Sequence, residues 1–190
     1  MDIQKRFNQK YKDNKDTFGL APLPIIKNAT NYINTSMGSA LDLGVGNGRN
    51  TLYLLSKSFK VTGVDSSEVG LNILKERVGN NPNLETVLCD ATKYQTDKKY
   101  DIVLAIGLLH FLSEEDGTDL VSRIQEWTKE GGINVLGVKM VQNAMHDLPH
   151  IFEKEEIKKL YNRSGWEIRE YQEVGGNIPV VGFLIAQKTN

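Results

Sequence analysis

From Ser39 onward, short apolar runs alternate with stretches whose apolar residues recur at helical spacing. "ALDLG" (40–44), "KVTGVD" (60–65), "LETVLCD" (84–90), "YDIVLAIG" (100–107) and "INVLGVKMV" (133–141) carry the strand pattern. "YDIVLAIG" is almost wholly apolar, as a parallel strand buried on both faces should be. Between the strands, "RNTLYLLSKS" predicts a helix with Leu52, Leu55 and Phe59 on one face. "SSEVGLNILKERV" predicts one carrying Val69, Ile73 and Leu74, capped by Ser66 or Ser67. "TDLVSRIQEWTKEGG" turns Leu120, Ile124 and Trp127 inward and should end at Gly131-Gly132. "EKEEIKKLYNRSG" is a charged helix with Ile157, Leu160 and Tyr161 as its core stripe. "WEIREYQEV" and "IPVVGFLIAQK" then follow with no helix between them, which predicts a closing antiparallel hairpin.

Repeated strand–helix alternation implies right-handed crossovers and an α/β fold, a doubly wound, mostly parallel sheet covered on both faces. Residues 37–190 are expected to form that unit. Residues 1–36 form an N-terminal segment packing on it: 1–16 are polar, a short helix or a loose arm, and "LPIIKNATNYI" (23–33) places Ile25, Ile26, Ala29, Tyr32 and Ile33 at helical spacing. Sheets of this kind bind ligands at the carboxyl ends of their strands, where the strand order reverses.

Composition narrows the partners. The 190 residues suffice for one domain with a sizeable core. The 23 basic and 24 acidic residues are scattered, for a net charge of −1, so no basic stripe of the kind that binds nucleic acid is present. No apolar stretch is long enough to span a bilayer, and the N-terminus lacks a signal peptide's apolar core, so a cytoplasmic protein without a membrane partner is expected. Cys89, the only cysteine, is expected to be a small buried residue at a strand end.

The chemistry concentrates in "LDLGVGNGRN" (41–50), at the end of the first strand. Gly44, Gly46 and Gly48 are spaced G-x-G-x-G, one residue short of the dinucleotide fingerprint G-x-G-x-x-G, and Asp42 stands two residues ahead. The helix that follows offers free N–H groups to an anion. A pyrophosphate there would be repelled by Asp42, whereas S-adenosyl-L-methionine (SAM) brings both a carboxylate for the helix end and an ammonium for the aspartate. Asp65 ends the second strand 21 residues after Gly44, where a carboxylate can accept both ribose hydroxyls. Asp90 ends the third, placed to accept from an adenine amino group while Ala91 offers its backbone N–H to the ring. Three ordinary loop aspartates are the structural alternative.

"LDLGVGNGRN", "GVD", "CDA" and "YDIVLAIGLLHFL" resemble the successive motifs of class I SAM-dependent methyltransferases. The resemblance is nearest to the tellurite-resistance methyltransferases of TehB type and related small-molecule enzymes, and covers roughly residues 38–172. It implies a seven-stranded Rossmann-like sheet whose last strand is antiparallel. It also implies SAM as cofactor and S-adenosyl-L-homocysteine as product, with Asp42, Gly44, Gly46, Asn47, Arg49, Asp65, Ser66, Asp90, Ala91 and Ile106 as cofactor contacts. Two segments depart from the tellurite enzymes. "EVGGNIPVVGF" lacks the His and Arg that they carry near the C-terminus, and "FGLAPLP" is similar to the Tyr/Phe-Gly-x-x-Pro segment of other small-molecule methyltransferases.

Methyl transfer is an in-line displacement at a carbon already activated by the sulfonium. Holding the reactants in a near-attack arrangement supplies roughly 7–11 kcal/mol. A general base adds about 3–5 kcal/mol. Positioning therefore contributes more than the base, and a soft nucleophile such as a thiol or a chalcogen oxyanion can dispense with the base. His110, after the fourth strand, is the candidate base or substrate contact, with a capping or packing histidine as the alternative. Phe18, Met145 and His146 are further substrate candidates, the last two with Asn143 on a loop that could cover the site. His146 and His150 have a metal pair's spacing, but Pro149 interrupts the helix such a pair needs, so no metal is expected. The expected activity is transfer of a methyl group from SAM to a small-molecule acceptor. A non-catalytic SAM-binding regulatory module and an NAD-dependent oxidoreductase are its rivals, and no oligomeric state is assigned.

Overall fold

The computed structural model describes residues 2–35, 37–140, 148–175 and 180–189. Its core is a seven-stranded sheet of β1 (Ser39–Leu43), β2 (Lys60–Asp65), β3 (Leu84–Leu88), β4 (Tyr100–Ile106), β5 (Thr128–Lys139), β6 (Trp166–Val174) and β7 (Val181–Lys188). The spatial order is β3-β2-β1-β4-β5-β7-β6. The first five strands are parallel. The final hairpin folds back so that β7 lies antiparallel between β5 and β6, as expected of its fold class. Strand order reverses between β1 and β4, which puts a crevice at the carboxyl end of β1.

Strand alternation divides the core into two layers. Leu41, Leu43, Val103, Ala105, Leu136 and Leu184 pack on one face with Leu120, Ile124 and Trp127. Ala40, Ile102, Leu104, Ile133, Val135 and Ile185 pack on the other with Ile25, Ile26 and Ala29. The covering helices are α1 (Ile3–Asp13), α2 (Pro24–Thr30), α3 (Arg49–Ser56), α4 (Glu68–Val78), α5 (Glu114–Glu126) and the single turn α6 (Glu156–Lys159). None of the described helices is long and apolar enough to cross a membrane.

Several local expectations are corrected. The buried stripe of α3 is Asn50, Thr51 and Leu54, with Leu52 and Leu55 only half-buried; Phe59 is buried but lies beyond the helix end. In α4, Leu71 joins Ile73 and Leu74 in the core while Val69 stays half-buried, and Ser67, not Ser66, is the cap, accepting from the Gly70 N–H. Gly131-Gly132 does not end α5: the chain turns at Trp127 and enters β5 at Thr128. The two glycines sit in an irregularity of that strand, because β4 advances from Tyr100 to Ile102 while β5 advances from Thr128 to Ile133. Gly131 takes a φ of +75° there, a conformation with little cost for glycine. The charged helix shrinks to α6, which buries Ile157 and is followed by the buried Tyr161. Cys89 is half-buried, with its thiol donating to the Asp90 carbonyl at 3.2 Å.

Candidate active site

A cavity of about 890 Å³ opens at the crevice, towards the upper end of the ~300–1,000 Å³ of ordinary small-molecule sites. One end is built from the β1–α3 turn and the ends of β2 and β3. Gly44, Gly46 and Gly48 all have positive φ, at +71°, +56° and +86°. The N–H groups of Gly44 and Val45 donate to the Val64 carbonyl at 2.8 and 3.1 Å, which ties the turn to β2. A side chain on Gly46 would also collide with the Tyr11 hydroxyl. Asp65 anchors this end: Oδ2 accepts from the Gly46 N–H and Oδ1 from the Ser67 N–H, both at 2.7 Å. Burial raises its pKa and those backbone donors oppose the shift. An ionised carboxylate has about four acceptor positions, so two remain for a ligand's hydroxyls. Asp90 uses only Oδ1 locally, accepting from the Thr92 N–H at 2.9 Å and hydroxyl at 2.8 Å.

Of the residues expected to contact a cofactor, the cavity wall contains Gly44, Gly46, Asn47, Arg49, Asp65, Ser66, Asp90, Ala91 and Ile106. Asp42 is the exception. Its carboxylate is buried away from that wall and accepts from the Thr51 hydroxyl at 2.7 Å, joining β1 to the first turn of α3. Burial pushes it up to about 7. Asn47 and Arg49 also hold the N-terminal segment. Asn47 Nδ2 donates to the Lys15 carbonyl at 3.1 Å, and Arg49 Nη1 to the Phe18 carbonyl at 2.8 Å.

The other end is apolar and aromatic. Of the substrate candidates, Phe18 and His110 lie in the cavity wall, whereas Met145 and His146 fall outside the described residues. The sequence patterns did not single out Phe7 and Lys10 of α1, Phe111, Lys139 at the end of β5, or Phe183 of β7, which line the cavity too, nor Tyr11 of α1, whose hydroxyl stands beside Gly46 at the glycine turn. The spacing of Ile3, Phe7 and Tyr11 was the available signal: each is four residues from the next, which places all three on one helix face. Phe7 meets Phe111 edge-on with ring centroids 5.3 Å apart, and Tyr11 meets Phe18 at 5.9 Å. Gln4 Nε2 donates to the Ser66 carbonyl at 2.6 Å, fixing the start of α1 beside the β2 end. Gly107, at φ +72°, has nothing within 4 Å of where a Cβ would stand, so β4 ends in open cavity.

His110 is buried in the turn Leu109–Phe111. Its Nδ1 accepts from the Lys139 N–H at 3.3 Å. Burial, with the Lys139 charge beside it, brings its pKa down to about 4. The ring is therefore neutral near pH 7, with its one lone pair occupied and its proton on Nε2. It is built as a hydrogen-bond donor.

The family model for the tellurite resistance protein TehB matches residues 7–180. The chain belongs to the TehB family. Against the probable S-adenosyl-L-methionine-dependent methyltransferase TehB of Haemophilus influenzae (strain 10810) it is 32% identical over 145 residues, 73% of this chain and 49% of that protein. It thus spans about half the length of the curated TehB relatives it matches. The crystal structure of TehB from Haemophilus influenzae superposes with a TM-score of 0.76 at 25% identity, covering 98% of this chain and 67% of that one. The fold alone is shared with the 1,6-didemethyltoxoflavin-N1-methyltransferase of Burkholderia thailandensis, solved with S-adenosylhomocysteine. That pair has a TM-score of 0.76 at 21% identity, covering 99% of this chain and 88% of the other. The architecture is that of class I SAM-dependent methyltransferases, and the TehB-type glycine turn opens into the cavity.

Proposed function

We propose that this TehB-family protein transfers a methyl group from SAM to a small-molecule acceptor held at the aromatic end of the cavity. One observation carries the reading: the glycine turn, with Asp65 clamped to Gly46 and Ser67, opens into the same cavity as Phe18, His110 and Phe111. Both halves of a bimolecular reaction can therefore be held together. The residues present suit the cofactor, because Asp65 and Asp90 keep unused acceptor positions and the positive-φ glycines keep side chains out of the turn. Bound there, SAM would supply an electrophilic methyl group on a sulfonium, with S-adenosylhomocysteine as the leaving group.

The protein's part is chiefly placement. Asp65 would hold the ribose and Asp90 the adenine amino group. Arg49, whose guanidinium lies half-buried at the turn, would face the methionine carboxylate. Asp42 acts behind the turn, by fixing α3 through Thr51. His110 would donate from Nε2 to the acceptor, since Nδ1 is occupied. An acceptor whose lone pair reacts without a base, a thiol already ionised to its thiolate or a chalcogen oxyanion, is compatible with an imidazole that is not a base.

Calorimetry with S-adenosylhomocysteine, followed by turnover of thiol, selenite and tellurite acceptors with SAM, tests this. Binding at micromolar concentrations and formation of S-adenosylhomocysteine with at least one acceptor are expected. No heat at millimolar ligand sinks the reading, and tight NADH binding with SAM ignored replaces it with hydride transfer.

A further inference from the structure

The charges around the cavity are not evenly distributed. Of its charged wall residues, Asp65 ends β2, and Asp90 and Lys93 follow β3, on one side of β1, while Asp2 precedes α1 and Arg49 opens α3. On the other side, Lys139 ends β5, and Lys10 of α1 faces the same cavity. Lys10 Nζ sits 4.5 Å from the centroid of the Phe18 ring, so its charge rests on an apolar wall. Among the described residues neither lysine, nor the neighbouring Arg6, makes an ion pair with a carboxylate. Burial, then the charges of Arg6 and Lys139, lower the Lys10 pKa, in keeping with cations set near one another at this cavity. Like charges gathered across a cavity with low-dielectric walls focus a positive potential, which an anion placed between them relieves.

Around these cations the wall is Phe7, Phe18, Phe111, Phe183, Leu112 and Val138. A bare inorganic oxyanion would have no use for that surface and would lose hydration against it. From this juxtaposition we infer that the acceptor is an organic anion: a carboxylate held between Lys10 and Lys139, on an apolar or aromatic body that packs against Phe18, Phe111 and Phe183. The inference rests on the methyl-transfer reading for its cofactor and adds the acceptor's class. The lysines position the acceptor by its charged end, while the His110 Nε2–H is free to donate elsewhere on it.

The test uses the intact protein saturated with S-adenosylhomocysteine. Its probes are 4-mercaptobenzoate, the carboxylate-free isostere 4-methylbenzenethiol (at a pH low enough to keep both thiols protonated and the carboxylate ionised), and selenite. Calorimetry is run on the wild type, Lys10→Met, Lys139→Met and the double variant. S-adenosylhomocysteine binding is measured first on each protein: its absence from the wild type defeats the methyl-transfer reading separately from this one. Given that binding, 4-mercaptobenzoate is expected to bind on the order of tenfold more tightly than the neutral thiol, the gain expected of one charge-assisted contact. The preference should weaken in each single variant and vanish in the double one, with cofactor affinity retained throughout. Equal affinity for the charged and neutral thiols overturns the inference, as does a preference that survives in the double variant. Selenite binding more tightly than 4-mercaptobenzoate overturns it in favour of an inorganic oxyanion.

Discussion

The two ends of the cavity are built by different physics. At the cofactor end, backbone groups dominate: glycines at positive φ, N–H groups clamped by Asp65, and an Asp90 whose side chain caps its own turn. Those interactions are hydrogen bonds between residues at most 19 apart along the chain, and none of them needs a ligand in order to form. At the acceptor end, side chains from α1, the turn after β4, β5 and β7 meet through rings and stems. Few hydrogen bonds fix them, and their arrangement depends on α1 lying where it does. A family can hold the first end constant and change the second, because exchanging a ring for a smaller side chain alters what fits without unfolding the turn.

Asp65→Ala should have the largest effect at the cofactor end. It leaves the Gly46 and Ser67 N–H groups without their acceptor, costing about 2–6 kcal/mol of stability at 1–3 kcal/mol for each partly buried group. Affinity for S-adenosylhomocysteine should fall on the order of 100-fold. Thermal melts and calorimetry check both, and an unchanged melt would show that the clamp does not hold the turn.

His110 offers a comparison by pH. Its folded value of about 4 lies below its ordinary 6.5, so between those values the unfolded chain binds a proton that the folded protein excludes. Its contribution is fully present above pH 6.5 and is lost as pH falls towards 4, by about 3 kcal/mol at ~1.4 kcal/mol per unit. His110→Gln should flatten that limb in denaturant titrations, whereas Asp42, raised to about 7, contributes with the opposite sign in both proteins. Parallel wild-type and variant curves from pH 4 to 6.5 would mean that the imidazole is not excluded from protonation.

Phe111→Ala should act at the acceptor end alone. Removing a ring that packs on Phe7 should raise the acceptor KM on the order of tenfold, with S-adenosylhomocysteine affinity kept within about twofold. Equal losses on both ligands would merge the two ends into one unit. The smallest effect belongs to Arg77→Met, which removes donors to the Asn47 and Lys15 carbonyls at 2.8 and 2.9 Å. The ion pair with Asp16 is lost as well, and loosening the Lys15–Asp16 segment that follows α1 should weaken both ligands about threefold and lower stability by ~1–3 kcal/mol, as two hydrogen bonds at ~0.5–1.5 kcal/mol each imply. A loss confined to the cofactor would show that α1 does not need this tie.

Reading the chain as sequence works where the physics is local. β2 and β6 emerge with their expected bounds because period-two and apolar runs report a strand directly. The last strand, β7, lies antiparallel as the closing hairpin requires, since no crossover helix separates it from β6. The same locality explains why the glycine turn, Asp65 and Asp90 could be named from spacing alone: each lies where a strand ends, and strand ends on one side of a parallel sheet share one crevice. Gly131-Gly132 misled for an equally physical reason. Glycine serves a strand irregularity as well as a helix end, and only the register against β4 distinguishes the two.

What the chain determined by itself is therefore the alternating fold and the gathering of the glycine turn with Asp65 and Asp90 at one crevice, both encoded in residues near strand ends. Tertiary structure decided the rest. Phe7 meets Phe111, and Lys10 shares a cavity with Lys139, only because α1 folds over the sheet and β5 lies beside β4. It also turned Asp42 towards Thr51 and out of the cavity wall, and gave the His110 lone pair to the Lys139 N–H. Partners so far apart in sequence leave no periodicity to read, since packing alone selects which of many available groups satisfies a buried one.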